Sequence, residues 1–186
     1  SENFDYLGKT PDSKDVLNAQ IQRYDYYGGG HPALDLAIRW LQKNQPAEPY
    51  RKFVHGDFRL GNIAVKKDGL KSVLDWECSH LGDPMEDLAW LCLRSWRFGR
   101  TDKIVGGFGD RNTLYSSYLE KGGCEIIERR IKWWEIFGYL RWAILNMMQA
   151  HGHLHTSRRS LPFAICGRNV CLIEYDLLMA MKNERL

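Results

Sequence analysis

His55-Gly56-Asp57-Phe58-Arg59-Leu60-Gly61-Asn62, followed further along by Leu74-Asp75-Trp76-Glu77, decides the reading of this chain. Asn62 lies five positions after Asp57, and Asp75 lies eighteen after it. That spacing supplies the three groups phosphoryl transfer uses. One carboxylate accepts the proton of an attacking hydroxyl, and an amide oxygen and a second carboxylate hold a hard cation that prefers oxygen ligands. Asp57 is the candidate base, and Asn62 and Asp75 are the candidate Mg²⁺ ligands. An Asp-x4-Asn spacing alone is common by chance, so the argument rests on what surrounds it.

Arg51-Lys52-Phe53-Val54 leads in with a strand-like apolar pair. Asn62–Val65, Lys66–Gly69 and Ser72–Asp75 then read as strand, Asp-Gly turn and strand. Such a hairpin returns Asp75 to the end where Asn62 begins, so one metal can touch both. The bland alternative is a surface hairpin with acidic ends. Asp83-Pro84-Met85-Glu86 reads as a helix start: Asp at the cap, Pro at the first helical position and Glu three residues after the cap. Leu88, Leu91 and Cys92 follow at helical spacing, with Trp96 one turn beyond. Simple capping accounts for Asp83 as well as any catalytic reading does.

These segments, with Leu81-Gly82-Asp83-Pro84-Met85-Glu86-Asp87-Leu88-Ala89-Trp90, resemble the aminoglycoside phosphotransferase and choline kinase-like family. The resemblance runs over roughly residues 15 to 182 and is densest from 53 to 90. His-Gly-Asp in place of His-Arg-Asp favours the small-molecule branch over protein kinases. Within it, the chain looks closest to the subgroup that includes the kinase-like domain fused to certain acyl-CoA dehydrogenases. The resemblance implies ATP and Mg²⁺ as cofactors, a small-molecule hydroxyl as acceptor, and His55, Asp83 and Asp87 as structural supports of the catalytic loop.

Composition sets the outer bounds. The 186 residues are 44% hydrophobic and 26% charged, which is globular. A net charge of +3 without long Lys/Arg runs does not suggest nucleic acid. No apolar stretch is long enough for a membrane span, and Ser1-Glu2-Asn3-Phe4-Asp5 is too polar for a signal peptide. Five cysteines without Cys-x-x-Cys spacing argue for reduced thiols and a cytoplasmic location.

The expected fold is mainly α with a short β-hairpin (α+β) and a single domain over residues 1–186: the C-terminal lobe of a protein-kinase-like fold. Residues 1–14 read as a disordered tail, 15–50 as two helices, 51–82 as the catalytic loop and metal hairpin, and 83–186 as a helical substrate subdomain. The first helix runs from Asp15 to Tyr27, and Pro32 opens a second through about Lys43. Asp110 caps a helix to about Lys121. A long helix spans about Cys124 to Ala150, and a last one about Gly167 to Asn183. Gly28-Gly29-Gly30 and Gly106-Gly107-Phe108-Gly109 read as linkers, because neither continues into Gly-Lys-Ser/Thr or follows a strand.

Arg141 sits in the apolar run of the long helix, where a cation usually has an anionic partner: a carboxylate such as Asp83 or Asp87, or the substrate. His151-Gly152-His153-Leu154-His155 reads as the polar end of that helix near its negative pole, with His151 on the acceptor side. Arginines after residue 90, among them Arg94, Arg97, Arg129 and Arg130, suit an anionic acceptor, and the subgroup resemblance points to a hydroxyacyl thioester. The 54 residues before His55 hold no Gly-x-Gly-x-x-Gly and no Val-Ala-x-Lys, so the nucleotide-covering N-terminal lobe is expected to be absent. The isolated chain is then expected to be inactive, and apolar residues that would face that lobe favour a homodimer. The rival reading is a non-catalytic, pseudokinase-like binding module.

Overall fold

The computed structural model describes residues 10–47, 51–157 and 159–182. Among these residues ten α-helices and β-strands follow in order: α1 (Ser13–Tyr27), α2 (Pro32–Lys43), β1 (Lys52–Val54), β2 (Ile63–Lys66), β3 (Gly69–Val73), β4 (His80–Gly82), α3 (Met85–Cys92), α4 (Arg111–Glu120), α5 (Glu128–His155) and α6 (Leu161–Lys182). The mainly helical reading with a short hairpin holds. Of the tail expected over residues 1–14, residues 1–9 lie outside the described residues, and helix begins at Ser13. Asn183, the expected end of the last helix, lies outside them too.

The chain forms two compact units. The second unit contains α1, α2, α5 from Ile136 onward and α6. Three of these helices bury the same i, i+3, i+7 stripe: Leu17, Gln20 and Tyr24 on α1, Leu34, Ala37 and Leu41 on α2, and Val170, Ile173 and Leu177 on α6. Tyr24 closes the turn between α1 and α2. Its hydroxyl accepts from the His31 N–H at 2.7 Å and donates to Asp35 at 2.9 Å. Gly28 and Gly30 take positive φ in that turn, as linker glycines should.

The first unit holds the strands. β2 and β3 pair antiparallel around the expected Asp68-Gly69 turn, from Ile63↔Val73 to Lys66↔Gly69, with a bulge between Ala64 and Val65. A second pairing was not foreseen: β1 runs antiparallel to β4, with Phe53 opposite Leu81. Its residues are too few to show a period, and the partners are 28 positions apart at that rung. α4 starts where Asp110 accepts from Thr113 N–H at 2.9 Å. α5 begins at Glu128 and reaches His155, later at both ends than its apolar pattern suggested, and α6 begins at Leu161 rather than Gly167.

Asp83 fastens α3 to α5. One carboxylate oxygen accepts from Met85 N–H at 3.0 Å, at the start of α3. The other accepts from the Arg130 guanidinium and from the Trp134 indole at 2.7 Å, one turn apart on α5. The Asp83 and Arg130 side chains are only 6% and 8% exposed. Removing one member of such a pair strands a buried charge. Asp83→Ala should cost about 3–5 kcal/mol, measured by urea unfolding followed by circular dichroism. The double change Asp83→Leu with Arg130→Met should lose less than the single one. Equal losses would remove this pair as the fastener.

Candidate functional site

The site is built around the loop between β1 and β2. At its root, the Asp87 carboxylate on α3 accepts two backbone N–H groups, from His55 at 2.7 Å and Gly56 at 2.9 Å. Burial pushes the Asp87 carboxyl from 3.8 up to about 6, against the opposing pull of those two hydrogen bonds. His55, buried in the loop, joins two segments. Its Nε2 donates to the Leu74 carbonyl at 2.8 Å, and its Nδ1 accepts from the Asp57 N–H at 3.1 Å. The tautomer with the proton on Nε2 satisfies both. The ring packs against Trp76 at 4.6 Å and Phe58 at 5.9 Å between centroids. His55 therefore fixes Asp57 and the residue before Asp75 at once.

Gly56 has a reason to be glycine. Its φ is +79°, and a Cβ there would lie 2.4 Å from the Cys78 carbonyl oxygen. The chain leading into β4 crosses the loop at this point, and no side chain fits between them.

The Asp57 carboxylate is held by three donors. Trp90 Nε1 donates to Oδ1 at 2.8 Å, Asn62 Nδ2 donates to Oδ2 at 2.8 Å, and Arg59 Nε lies 3.2 Å from each oxygen. Asn62 Nδ2 also reaches the Asp57 carbonyl at 3.0 Å. The amide nitrogen of the buried Asn62 is thus committed to Asp57, and its oxygen is the end suited to a cation.

Asp75 follows directly on the hairpin. Leu74 N–H donates to the Asn62 carbonyl at 2.8 Å, so the backbones leading to Asn62 and Asp75 meet at one end of β2 and β3. Asp75 is exposed and takes the left-handed conformation, φ 60° and ψ 59°, which Asp tolerates better than most residues but which still stores strain. Asn62 and Asp75 offer an amide oxygen and a carboxylate, a fitting donor pair for Mg²⁺ when water and phosphate oxygens complete the shell. Among the described residues no group of three or more His, Cys, Asp or Glu is placed to hold a metal.

The sequence reading passed over several residues of this site. Trp90 was noted only as the last residue of the Leu81–Trp90 segment, yet it stands one turn from Asp87, so both side chains address the loop. Arg59 and the Leu74 carbonyl were also missed. Arg141 and His151, expected on the acceptor side, belong to the second unit. There His151 packs against Tyr26, Tyr27 and His155, while His153 turns aside to accept from Ser160 N–H at 3.0 Å. The cation on Asp83 is Arg130.

Comparison with known proteins bears on the family and the fold. A family model described as the phosphotransferase enzyme family matches residues 9–121. Acyl-CoA dehydrogenase family member 10 from Mus musculus is 40% identical over 83 residues, 44% of this chain and 8% of that protein. Among solved structures, a Ralstonia eutropha protein described as an aminoglycoside phosphotransferase superposes with a TM-score of 0.77 at 22% identity, covering 96% of this chain and 58% of that one. A thermostable mutant aminoglycoside phosphotransferase in ternary complex with AMP-PNP and hygromycin B gives 0.51 at 15% identity, covering 90% and 44%. At these identities the structures establish the fold, that of the helix-rich lobe of kinase-like phosphotransferases. The chain spans little more than half of the first solved relative and a small part of the curated one.

The raised Asp87 value has a measurable consequence. A carboxyl that binds its proton more tightly when folded stabilises the fold most at low pH, and this contribution falls as the pH rises through the folded value. Relative to Asp87→Asn, the unfolding free energy of the wild type should fall by about 2 kcal/mol between about pH 4 and about pH 7. Parallel denaturant titrations at several pH values measure it, and a constant difference would mean that Asp87 ionises as an ordinary carboxyl.

Proposed function

The chain belongs to the phosphotransferase enzyme family, and from that premise we propose that it carries the catalytic half of an ATP-dependent enzyme that phosphorylates a hydroxyl of a small molecule. The observation that carries this reading is the Asp57 carboxylate, held by Trp90, Asn62 and Arg59 on a loop whose backbone is pinned by Asp87. A base must point one way before substrate arrives, and this one does.

In this reading Asp57 takes the proton of the acceptor hydroxyl on a carboxylate oxygen. Arg59 and Trp90 keep that carboxylate from turning away, and His55 holds the backbone beneath it. Asn62 and Asp75 would hold Mg²⁺, which would supply positive charge against the phosphate oxygens. Asp83 and Asp87 bind no substrate; they fix α3 against α5 and the loop against α3. Arg59 beside the base, with Arg94 and Arg97 following α3, favours an acceptor carrying negative charge. A lobe covering the nucleotide is the partner this reading requires, and exposed Phe53, Leu70, Leu74 and Trp76 give it apolar surface to meet. Among the described residues no helix is long and apolar enough to cross a membrane.

The test uses the full-length protein that carries this chain, assayed for ATP consumption with hydroxylated acceptors. Asp57→Asn should lower turnover by about 10²–10⁴-fold with little change in nucleotide affinity. Asp75→Asn should instead weaken Mg·ATP binding, because a charged ligand is gone. If both variants kept wild-type turnover and affinity, a binding module without catalysis would be the better description.

A further inference from the structure

The candidate base sits in a closed circuit of four side chains. Asp57 accepts from the Trp90 indole at 2.8 Å. The Trp90 ring lies 5.3 Å from the Trp96 ring, tilted at 52°. Trp96 lies beneath the Arg59 guanidinium, 5.0 Å from its carbon. Arg59 returns to Asp57 at 3.2 Å. Both indoles are nearly buried, at 3% and 6% exposed, and the cation over an indole face is itself favourable.

The distribution of donors over the carboxylate gives this circuit a task. Oδ1 holds Trp90, Oδ2 holds Asn62, and Arg59 Nε spans both. With a donor on each oxygen the carboxylate plane cannot rotate without breaking a hydrogen bond. Asn62 carries a second task as a cation ligand, and Arg59 has a flexible stem. Trp90 alone is both rigid and immobilised, since its ring is buried and packed at a tilt against Trp96. Gly61 serves the same arrangement: a Cβ there would fall 2.2 Å from an Arg59 nitrogen.

We propose that Trp90 is a positioning residue for phosphoryl transfer, its indole N–H fixing the orientation of the Asp57 carboxylate, with Trp96 acting on the same carboxylate through Arg59. This rests on the assignment of Asp57 as base. It follows that Trp90 contributes to turnover and hardly to the binding of Mg·ATP, because its indole N–H donates to the base.

Two measurements test it, one independent of activity. In ¹⁵N-indole spectra of this chain, the Trp90 N–H resonance, identified by its loss in Trp90→Phe, should move on Asp57→Asn. A resonance that stays in place overturns the bond. In the full-length protein, with Mg·ATP and water as the acceptor probe, Trp90→Phe should lower kcat about tenfold and leave KM for Mg·ATP within about twofold. Trp90→Tyr, which keeps a ring and a donor, should recover part of the loss, and Trp90→Phe should have no further effect in an Asp57→Asn background. Equal losses in the Phe and Tyr variants, or full additivity with Asp57→Asn, would reduce Trp90 to packing and overturn the proposal. Wild-type turnover in Asp57→Asn would instead refute the base assignment, leaving the indole resonance as the judge of the Trp90 bond.

Discussion

The half-buried carboxylate of Asp87 and the two backbone N–H groups it accepts from His55 and Gly56 are the constraint on which the rest of the site depends. A loop backbone has donors to satisfy, and away from water an unmet donor costs about 1–3 kcal/mol. Helix α3 supplies the acceptor from its first turn, where a carboxylate is also favoured by the helix dipole. The arrangement is not free. Burial disfavours the charge, and the raised Asp87 value records that the two hydrogen bonds only partly offset it. What is gained is a loop whose register against α3 has no latitude.

All the candidate site residues are referred to that register. Once His55 is pinned, its ring reaches the Leu74 carbonyl on one side and the Asp57 N–H on the other. The hairpin adds the Asn62 to Leu74 backbone bond, which sets where Asp75 leaves β3. Asp75 then enters a left-handed conformation that few residues tolerate. Strain at this position persists because Leu74 is held by both His55 and Asn62. The candidate base, the amide and the second carboxylate thus sit on a backbone that these hydrogen bonds hold.

Packing enforces the same geometry from outside. Gly56 admits the Cys78 carbonyl where a methyl group would collide, and β1 is paired with β4 just beyond. Asp83 ties the start of α3 to α5 through Arg130 and Trp134. Within the same unit Leu91, Cys92 and Val105 form a small core that Phe58 and Ile63 join from the loop and hairpin. Burial raises the Cys92 thiol to about 11, which marks it as a core group and not a nucleophile. The helix that carries Asp87 and Trp90 is therefore anchored by its start, its buried face and its neighbours.

Much of this was legible in the sequence because it is local. The Asp68-Gly69 turn, the Asp110 cap, Pro32 at the start of α2 and the i, i+3, i+7 stripes are properties of a few adjacent residues, and each appears where the spacing puts it. The spacing of His55, Asp57, Asn62 and Asp75 likewise needs only a loop and a hairpin to become a site. Three-residue strands such as β1 and β4 carry no period, so their pairing across 28 positions was unreadable. The apolar pattern of α5 could not fix its ends, since its last turn is polar and its first is held by contacts elsewhere in the chain. Trp90 and Arg130 were hidden for a related reason. An indole in an apolar helix and an arginine beside another arginine do not show which carboxylate they will meet until the fold sets one opposite each. Sequence determined which residues could do chemistry; tertiary structure decided which of them hold that chemistry in place, because hydrogen-bond partners 33 and 47 positions apart are chosen by packing and not by spacing.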